Sequence, residues 1–360
     1  LSLKTQKVKD VIERIGHQNP DLVKPALGPK EPWAYRNKMQ MPVGGTKGNI
    51  LMGFYAMGSH DIVQGTNCPI QDEGNNIIAQ ACYQIAKELD VEPYDEHTGK
   101  GVLRHIIGRI GQSGWMIILV TATEQLPHKE KWVEKLTERV PQVETIVHNV
   151  NGKRTNVILG PKNNILYGDG TITDHIKDLR FTLSPHSFFQ VNPEQTTVLY
   201  DQALAYADLK GDETVIDAYC GTGTISLFLA HKAKHVIGIE IVEPAIINAR
   251  ENAKRNGYDN TEFIVADAAV EMPKLYKSGV RPDVIVFDPI RAGCKEEVLT
   301  SAAGMEPKRI VYVSCNPATM ARDIEILTHY GYELQKVQPV DMFPMTAHVE
   351  TVCLLSRKDK

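Results

Sequence analysis

The sequence lacks the features of a secreted or membrane-bound protein. It has no CxxC pair, and its cysteines are scattered, at Cys68, Cys82, Cys220, Cys294, Cys315 and Cys353. This distribution gives no sign of a disulfide framework and fits a reducing compartment. No apolar run approaches the ~20 residues that a membrane helix needs, and no signal peptide opens the chain. We therefore expect a cytoplasmic protein with no membrane span.

A strong charge of one sign is also missing. The net charge is −4 over 360 residues, with 42% hydrophobic and 23% charged residues, as in a globular protein. This balance does not by itself indicate a nucleic-acid-binding protein, and the length suits two domains. The chain has no initiator methionine, so we expect a piece of a longer protein with a segment missing upstream.

The first half of the chain has the spacing of hairpins. An amphipathic helix over residues 3–16 is followed by a linker over 19–31. We predict strands at 35–41, 50–57, 102–110, 115–121, 144–149 and 181–184, and helices at 75–89 and 129–139. This spacing predicts an antiparallel α+β domain.

After Pro193 the pattern changes to alternating strands and helices. Asn192 predicts a helix N-cap, with Pro193 at the first helical position. We predict helices at 194–207, 222–231, 243–256, 295–302 and 317–329, and strands at 214–217, 235–239, 262–265, 283–287 and 309–313. This alternation is typical of an α/β fold with a doubly wound parallel sheet. Two final strands, 333–340 and 349–356, are expected to form an antiparallel edge pair.

The loop after the first of these strands predicts a nucleotide cofactor. Gly221 and Gly223 allow a tight turn and a close approach to a ligand. A dinucleotide fingerprint needs glycine where this chain has Ser226, which disfavours NAD. Glu240 and Asp267 follow the next two strands, where one carboxylate can hold a ribose and the other can meet an adenine amino group. Together these residues favour S-adenosylmethionine, although each acid alone could be a helix cap or a solvated charge.

Cys315 is the leading candidate for a nucleophile, with a structural cysteine as the alternative. It follows the fifth strand, and Pro317 starts the next helix, so the thiol lies near a helix N-terminus, which favours thiolate. Asp288 follows the fourth strand and projects at the same edge. A thiolate that adds to carbon 6 of a uracil makes carbon 5 nucleophilic towards a sulfonium methyl group, and a base must then remove the carbon-5 proton. Glu350 begins the final apolar strand, but its position alone favours an exposed strand end.

Phe188, Phe189 and Gln190 precede the helix that leads into the parallel sheet. Two aromatic rings and an amide can stack on and hydrogen-bond a base that has been taken out of its duplex. They can equally be core residues and an N-terminal turn, and their spacing does not decide between the two.

Five motifs occur together in one order. They are Phe189-Gln190-Val191-Asn192-Pro193, Asp217-Ala218-Tyr219-Cys220-Gly221-Thr222-Gly223, Asp288-Pro289, Ser314-Cys315-Asn316-Pro317 and His348-Val349-Glu350-Thr351. With them the chain closely resembles the RNA uracil-5-methyltransferase family, nearest to its bacterial 23S ribosomal RNA (RlmCD-like) members. The resemblance implies an enzyme that uses S-adenosylmethionine to methylate carbon 5 of a uridine in 23S ribosomal RNA, with transfer RNA as the alternative substrate. We expect it to be a monomer.

The resemblance also implies roles for residues and domains. Cys315 would be the nucleophile and Glu350 the base. The residues expected to line the cofactor and uracil pocket are Gln190, Tyr219, Gly221, Gly223, Glu240, Asp267 at the adenine, and Asp288, with Phe188 and Phe189 on the substrate side. Residues 1–25 would form a helix packed on the catalytic domain, 26–187 a central α+β RNA-binding domain, and 188–360 a Rossmann-like methyltransferase domain with an antiparallel last strand.

The chain departs from the family pattern in three respects. Many members carry an N-terminal TRAM β-barrel, which these residues do not contain. Many also hold an iron–sulfur cluster through three upstream cysteines and a later one; Cys68 resembles the later one, so we expect a cluster only in a longer protein. The usual Asp-Pro-Pro-Arg motif has Ile290 in place of its second proline, which frees the backbone there.

Two other functions remain open at this stage. One is methylation of cytosine or of an exocyclic amine, although an amine needs no thiol and an Asn-Pro-Pro-Tyr type of motif would be expected. The other is a non-catalytic RNA-binding module that has kept a cofactor fold.

Overall fold

The computed structural model describes residues 1–358, which divide into two compact units. One unit contains Leu1–Pro32, Ile176–Arg180 and the chain from Asn192 onward, and we call it the sheet unit. The other contains Trp33–His175 and Phe181–Val191, and we call it the central unit. These divisions lie a few residues away from the predicted boundaries at 25/26 and 187/188.

The chain begins in the sheet unit with helix α1 (Ser2–Arg14) and a short 3-10 turn (Pro20–Leu22). Val8 and Ile12 are fully buried in the core of this unit, because the helix turns its apolar face inward. The first helix is thus part of the sheet unit although the central unit follows it in sequence.

The central unit is built on a mixed seven-stranded sheet, in the order β3-β2-β1-β4-β5-β6-β7. Its elements are β1 (Lys38–Thr46), β2 (Asn49–Tyr55), β3 (Ile62–Gln64), α2 (Glu73–Glu88), β4 (Leu103–Ile110), β5 (Trp115–Thr121), α3 (Lys129–Arg139), β6 (Val143–Val150) and β7 (Lys162–Tyr167). The prediction of a wholly antiparallel sheet is wrong at one pair. Strands β5 and β6 are parallel, because α3 carries the chain back to the starting edge before β6 begins.

A two-stranded hairpin, β8 (Ile172–Ile176) and β9 (Leu179–Leu183), follows the central sheet. The chain then enters the main part of the sheet unit. Its elements are α4 (Pro193–Ala207), β10 (Thr214–Asp217), α5 (Thr224–Ala230), β11 (His235–Glu240), α6 (Glu243–Arg255), β12 (Thr261–Val265), α7 (Ala268–Lys277), β13 (Val284–Phe287), α8 (Glu296–Gly304), β14 (Arg309–Ser314), α9 (Pro317–His329), β15 (Tyr332–Val340) and β16 (Glu350–Arg357).

The sheet of this unit has the order β12-β11-β10-β13-β14-β16-β15. All pairs between β10 and β14 are parallel, and β16 is antiparallel to both of its neighbours. The predicted Rossmann-like sheet with an antiparallel last strand is therefore confirmed. The final strand does not lie at the edge, because it inserts between β14 and β15.

The sequence patterns missed three strands and one helix. Helix α7 contains Pro273, which interrupts the helical pattern. The missed strands are β3, β7 and β8. Strand β7 is a largely exposed edge strand with polar residues, and β3 has only three residues.

In the part of the chain that the structure describes, no helix is long and apolar enough to cross a membrane.

Candidate functional site

The candidate residues of the sheet unit lie along one edge of its sheet. Asp267, Glu240, Gly221, Asp288 and Cys315 each follow or end a parallel strand at its carboxyl end. The strand order brings them to that edge in the spatial sequence just given, and Glu350 joins them because β16 runs the opposite way and starts there. We call these six residues the carboxyl-edge row. In such sheets ligands bind at this edge, at the point where the strand order reverses, which here lies between β10 and β13.

The glycine loop after β10 is held in a conformation that suits glycine. Gly221 and Gly223 have positive φ angles of 54° and 82°, and Gly223 is the N-cap of α5. The Glu240 carboxylate accepts hydrogen bonds from the backbone N–H of Gly221, at 3.3 Å, and of Val242, at 2.9 Å. Glu240 is thereby fixed beside the loop.

Ser226 stands where a dinucleotide fingerprint would have its third glycine. Its hydroxyl donates a 2.6 Å hydrogen bond to the buried carboxylate of Asp217, at the end of β10. Burial raises the pKa of Asp217 to about 6, and the bond from Ser226 acts in the opposite direction. Ser226 therefore links α5 to the end of β10 through a hydrogen bond that glycine could not make.

Asp267 has two structural partners. Its carboxylate caps α7 by accepting from the Ala269 N–H at 2.9 Å, and it pairs with Lys295 at 2.9 Å. The Lys295 ammonium holds the pKa of Asp267 below its usual range. The helix-cap alternative is thus realised, while a contact with adenine stays a prediction.

The register of the last strand places Glu350 beside Cys315. Ser314 on β14 is paired with Thr351 on antiparallel β16. Cys315 directly follows Ser314, and Glu350 directly precedes Thr351, so both lie next to this last pair of the ladder. Their nearness is also seen in the charge of Glu350, which raises the pKa of Cys315. The prediction that Glu350 is an exposed strand end is wrong, since Glu350 is only 5% exposed.

The acid–base properties of this end of the row reverse one expectation. Burial, followed by the charges of Glu350 and Asp288, raises the pKa of the Cys315 thiol to about 11, which favours the neutral thiol over the expected helix-stabilised thiolate. Burial also raises the pKa of Glu350 to about 7. Burial, followed by the charges of Glu350 and Asp217, raises the pKa of Asp288 well above its ordinary value. Three titratable groups, of which the Glu350 charge affects the other two, therefore lie together.

Arg291 is a neighbour that the sequence reasoning quoted but did not assign to the site. Its positive charge lowers the pKa of both Cys315 and Glu350, against the effect of burial. It lies in the loop after β13, whose Ile290 is 77% exposed. The sequence signal for Arg291 was its place three residues after Asp288, in the loop that follows β13 at the ligand edge.

The aromatic segment before α4 belongs to the central unit. Phe189 is buried and packs on Phe181, with ring centroids 5.5 Å apart. A stacking role for Phe189 is therefore wrong, because its ring is already part of the core. Phe188 is 70% exposed and Gln190 is half-buried, and their contacts with a substrate or cofactor stay predictions.

The central unit also contains a cluster of cations. Lys38 on β1 is directly opposite Arg109 on β4, and it also lies near Arg36. Burial, followed by the charges of Arg109 and Arg36, lowers the pKa of Lys38 to about 7. The nearby acid is Asp174, and burial raises its pKa to about 6. Like charges opposite each other are unfavourable in a sheet, so this cluster is suited to an anionic ligand.

Cys68 lies in a loop of the central unit, where Asn76 accepts a hydrogen bond from its backbone N–H at 3.0 Å. Within residues 1–358, no group of three or more His, Cys, Asp or Glu side chains is arranged to hold a metal ion. The residues present do not fit an iron–sulfur cluster, and Cys68 as one ligand in a longer protein stays a prediction.

A groove of about 740 Å³ lies away from the carboxyl-edge row. It is lined by residues that precede β10, β11 and β12, among them Leu209, His231 and Tyr258. It therefore lies at the amino ends of the parallel strands, where this class of fold does not bind its cofactor.

Comparison with known proteins supplies a family. A family model described as tRNA (uracil-5-)-methyltransferase matches residues 116–358. A protein of Halalkalibacterium halodurans, named as an uncharacterized RNA methyltransferase, is 51% identical over all of this chain and 79% of its own length. A similarly named protein of Bacillus cereus is 51% identical, with the same coverage.

One solved structure resembles nearly the whole chain. It is a tRNA (uracil-54, C5)-methyltransferase of Pyrococcus abyssi in complex with S-adenosyl-L-homocysteine, with a TM-score of 0.80 and 26% identity. The similarity covers 98% of this chain and 82% of the archaeal one.

Proposed function

Because the chain belongs to the tRNA (uracil-5-)-methyltransferase family and is an S-adenosylmethionine-dependent RNA methyltransferase, we propose that it methylates carbon 5 of a uridine in 23S ribosomal RNA. The observation that carries the proposed reaction is the nearness of a thiol and a buried carboxyl group at the ligand edge of the sheet: Cys315 and Glu350 flank the pair Ser314–Thr351, and the charge of Glu350 raises the pKa of Cys315.

The two halves of the carboxyl-edge row suit the two substrates. Gly221, Gly223 and Glu240 present a tight loop and a fixed carboxylate, which fit the amino acid and ribose parts of S-adenosylmethionine. When bound there, S-adenosylmethionine supplies an electrophilic methyl group. Asp288, Cys315 and Glu350 lie on the other side of the switch point and are proposed to act on the uracil.

Cys315 begins the proposed reaction by adding its sulfur to carbon 6 of the uracil. Because its pKa is about 11, the thiol must first give its proton to a neighbouring carboxylate or to solvent. Formation of the sulfur–carbon bond moves the electron pair of the ring double bond towards carbon 5 and the carbon-4 carbonyl oxygen. Asp288, whose burial favours the neutral acid, can donate a hydrogen bond to a uracil carbonyl as this charge develops.

Glu350 completes the reaction as the base. Carbon 5 takes the methyl group with its electron pair, as the sulfonium carbon–sulfur bond breaks and S-adenosylhomocysteine is left. The remaining proton on carbon 5 then passes to the Glu350 carboxylate. The electrons of the broken carbon–hydrogen bond restore the ring double bond, and the carbon–sulfur bond breaks, with sulfur leaving as thiolate that regains a proton. The net result is replacement of one ring hydrogen by methyl and release of one proton.

The RNA substrate is proposed to bind the central unit. The cluster of Arg36, Lys38 and Arg109 brings three cationic side chains together near one acid, Asp174. A bound backbone phosphate would favour the charged form of Lys38, whose pKa is lowered to about 7 without a ligand. The exposed ring of Phe188 can stack on an unpaired base.

The choice between ribosomal and transfer RNA rests on different grounds. The resemblance of the motifs favours 23S ribosomal RNA, while the names of the family and of the archaeal neighbour refer to transfer RNA. Mapping 5-methyluridine in both RNAs from cells that lack the protein decides between them. Loss of the modification from transfer RNA alone would contradict the ribosomal proposal.

The reaction itself is tested with RNA that carries tritium at carbon 5 of its pyrimidines. The purified protein with S-adenosylmethionine should release tritium from labelled uridine and not from labelled cytidine. Release from cytidine would indicate a cytosine-5-methyltransferase, and release from neither would support a non-catalytic RNA-binding module.

A further inference from the structure

The loop between β13 and α8 is held mainly by side chains of α9. This loop, residues 288–294, carries both Asp288 and Arg291. The side chains of Asn316 and Thr319 donate to the Arg291 carbonyl at 3.0 and 3.2 Å. Helix α9 begins two residues after Cys315. The helix that follows the candidate nucleophile therefore also binds the loop that carries Asp288 and Arg291.

Arg322 and Asp323, one turn further along α9, bind the other end of the loop. The Arg322 guanidinium donates to the carbonyls of Ala292, at 3.0 Å, and Cys294, at 3.3 Å. The Asp323 carboxylate accepts from the Cys294 N–H at 2.8 Å. The two side chains also bind each other, at 2.8 and 2.6 Å. Donors and acceptors of consecutive loop residues are thus satisfied from one helix.

Asp323 is an unusual residue for its position. It is fully buried and lies on the face of α9 that also buries Met320, Ile324 and Leu327. A buried carboxylate is costly unless it is fully paired. Tyr312 on β14 donates to it at 2.5 Å, which adds a third partner to Arg322 and the Cys294 N–H. An apolar side chain would fill this core position without that cost, so the acid is retained for the geometry that it imposes.

Gly293 is matched to this network. Its φ angle is 80°, and a Cβ atom there would lie 2.6 Å from Arg322 Nη2 and 2.7 Å from Asp323 Oδ2. Only glycine lets the loop approach the two side chains this closely.

The network also reaches the cofactor loop. The Cys294 thiol donates to the Tyr312 hydroxyl at 3.5 Å, and the Tyr219 side chain is hydrogen-bonded to Cys294. A continuous chain of contacts therefore runs from Tyr219, beside the glycine loop, through Cys294 and Tyr312 to Asp323.

We propose that Arg322 and Asp323 are positioning residues that fix the 288–294 loop, and so set the places of Asp288 and Arg291 relative to Cys315. This inference rests on the proposed function. The loop lacks the second proline of the related motif and has exposed Ile290 in its place, so the restraint that proline would give the backbone is supplied by α9.

The test compares Arg322→Met with Arg322→Lys and with Glu325→Gln, a control on the same helix. Arg322 is 46% exposed, so its replacement should leave the protein folded, which thermal unfolding checks. We expect Arg322→Met to lower kcat by about 10–100-fold, because small displacements of reacting groups cost that much. The dissociation constant for S-adenosylmethionine should change by less than about threefold, since within residues 1–358 Arg322 makes no bond to the glycine loop and Glu240 is held by the Gly221 and Val242 N–H groups. Arg322→Lys should recover part of the loss, and the control should resemble the parent.

Two further readouts separate positioning from a general loss of stability. Arg291 lowers the pKa of Glu350, so a displaced Arg291 should move the rising limb of the kcat profile to higher pH in Arg322→Met. Hydrogen exchange at the Cys294 amide, which is bonded to Asp323, should become faster in the same variant.

The outcomes are distinct from those that test the methylation itself. Unchanged exchange at the Cys294 amide would overturn the inference whatever the activity. Faster exchange with an unchanged kcat and pH profile would overturn it as well. A parent protein that methylates no uridine would contradict the proposed function, and the exchange measurement would still decide whether α9 fixes the loop.

Discussion

Two physical effects act in opposite directions on the pKa of Cys315, and burial has a larger effect than the helix N-terminus. The residue lies next to the N-terminus of α9, which favours a thiolate. Yet burial and two carboxyl groups raise its pKa to about 11. A protonated thiol protects the free protein from oxidation and adventitious metals. In the proposed reaction, its activation would accompany substrate binding, when the uracil displaces water and accepts the charge.

Replacement of Cys315 by alanine should remove methyl transfer and leave cofactor binding intact. The loss should exceed about 10³-fold, because no other group can form the bond to carbon 6. Transfer of labelled methyl groups to RNA and calorimetric binding of S-adenosylmethionine measure the two properties. Cys353→Ala, at a buried cysteine of β16, is the control for loss of a thiol. Retained activity of Cys315→Ala would refute the covalent route.

Replacement of Glu350 by glutamine should trap a covalent complex. The amide cannot take the carbon-5 proton, so the methylated base should stay bonded to Cys315 and the complex should survive a denaturing gel. The double variant Cys315→Ala/Glu350→Gln should give no such band, and Glu333→Gln on β15 should behave as the parent. A parent-like turnover by Glu350→Gln would assign the base elsewhere.

The pH dependence of kcat follows from the same carboxyl group. A base acts only when ionised, and the pKa of Glu350 is raised to about 7. Activity should therefore be low below pH 7, rise through that value and level off above it. A rate profile measured from pH 5 to pH 9 at saturating substrates tests this. A rising limb centred near the ordinary glutamate pKa would contradict a buried base.

At the scale of elements, one side chain at the start of α9 both caps the helix and binds the loop of the candidate site. The Asn316 side chain caps the helix by accepting from the Ala318 N–H and donates to the Arg291 carbonyl. Asn316→Ala should lower the free energy of unfolding by about 1 kcal/mol, the usual worth of an N-cap. Asn316→Asp keeps the acceptor and loses the donor, so it should retain stability while lowering kcat. Denaturant unfolding and turnover, measured on both variants, separate the two functions, and equal effects on both would contradict this division.

Elements with a regular period could be predicted from the sequence, and elements set by pairing could not. The parallel strands are short apolar runs between helices, so β10 and β14 were located to within a residue of their ends. Helix α7 was missed because its Pro273 contradicts local preference, and β7 because a polar edge strand has no apolar period. The insertion of β16 between β14 and β15 depends on long-range register, which no local pattern records.

The same division applies to the candidate site. The residues of the carboxyl-edge row could be proposed because a parallel sheet brings its strand ends to one edge. The burial of Glu350 depends on the pairing of Ser314 with Thr351. These residues belong to β14 and β16, which lie far apart in the sequence. Asp323 was not considered, although an acid among apolar residues on a helix face was visible in the sequence.

At the scale of the whole molecule, binding of RNA and binding of cofactor should be separable by mutation. Lys38→Met removes one cation of the central cluster, so RNA affinity should fall and the slope of log affinity against log salt should decrease by about one. Affinity for S-adenosylmethionine should not change. Lys131→Met, on α3 and outside the cluster, is the matched control. An unaltered salt slope for Lys38→Met would remove this cluster from the RNA-binding surface.

The insertion of the last strand into the interior of the sheet has a consequence for synthesis. Glu350 is the first residue of β16, and that strand can take its place only after it has left the ribosome, since β14 and β15 emerge before it. A nascent chain, or one cut short by a premature stop before Glu350, would present two unpaired strand edges and a thiol without its proton acceptor. The proposed pair of Cys315 and Glu350 is therefore assembled only when synthesis has passed through this strand.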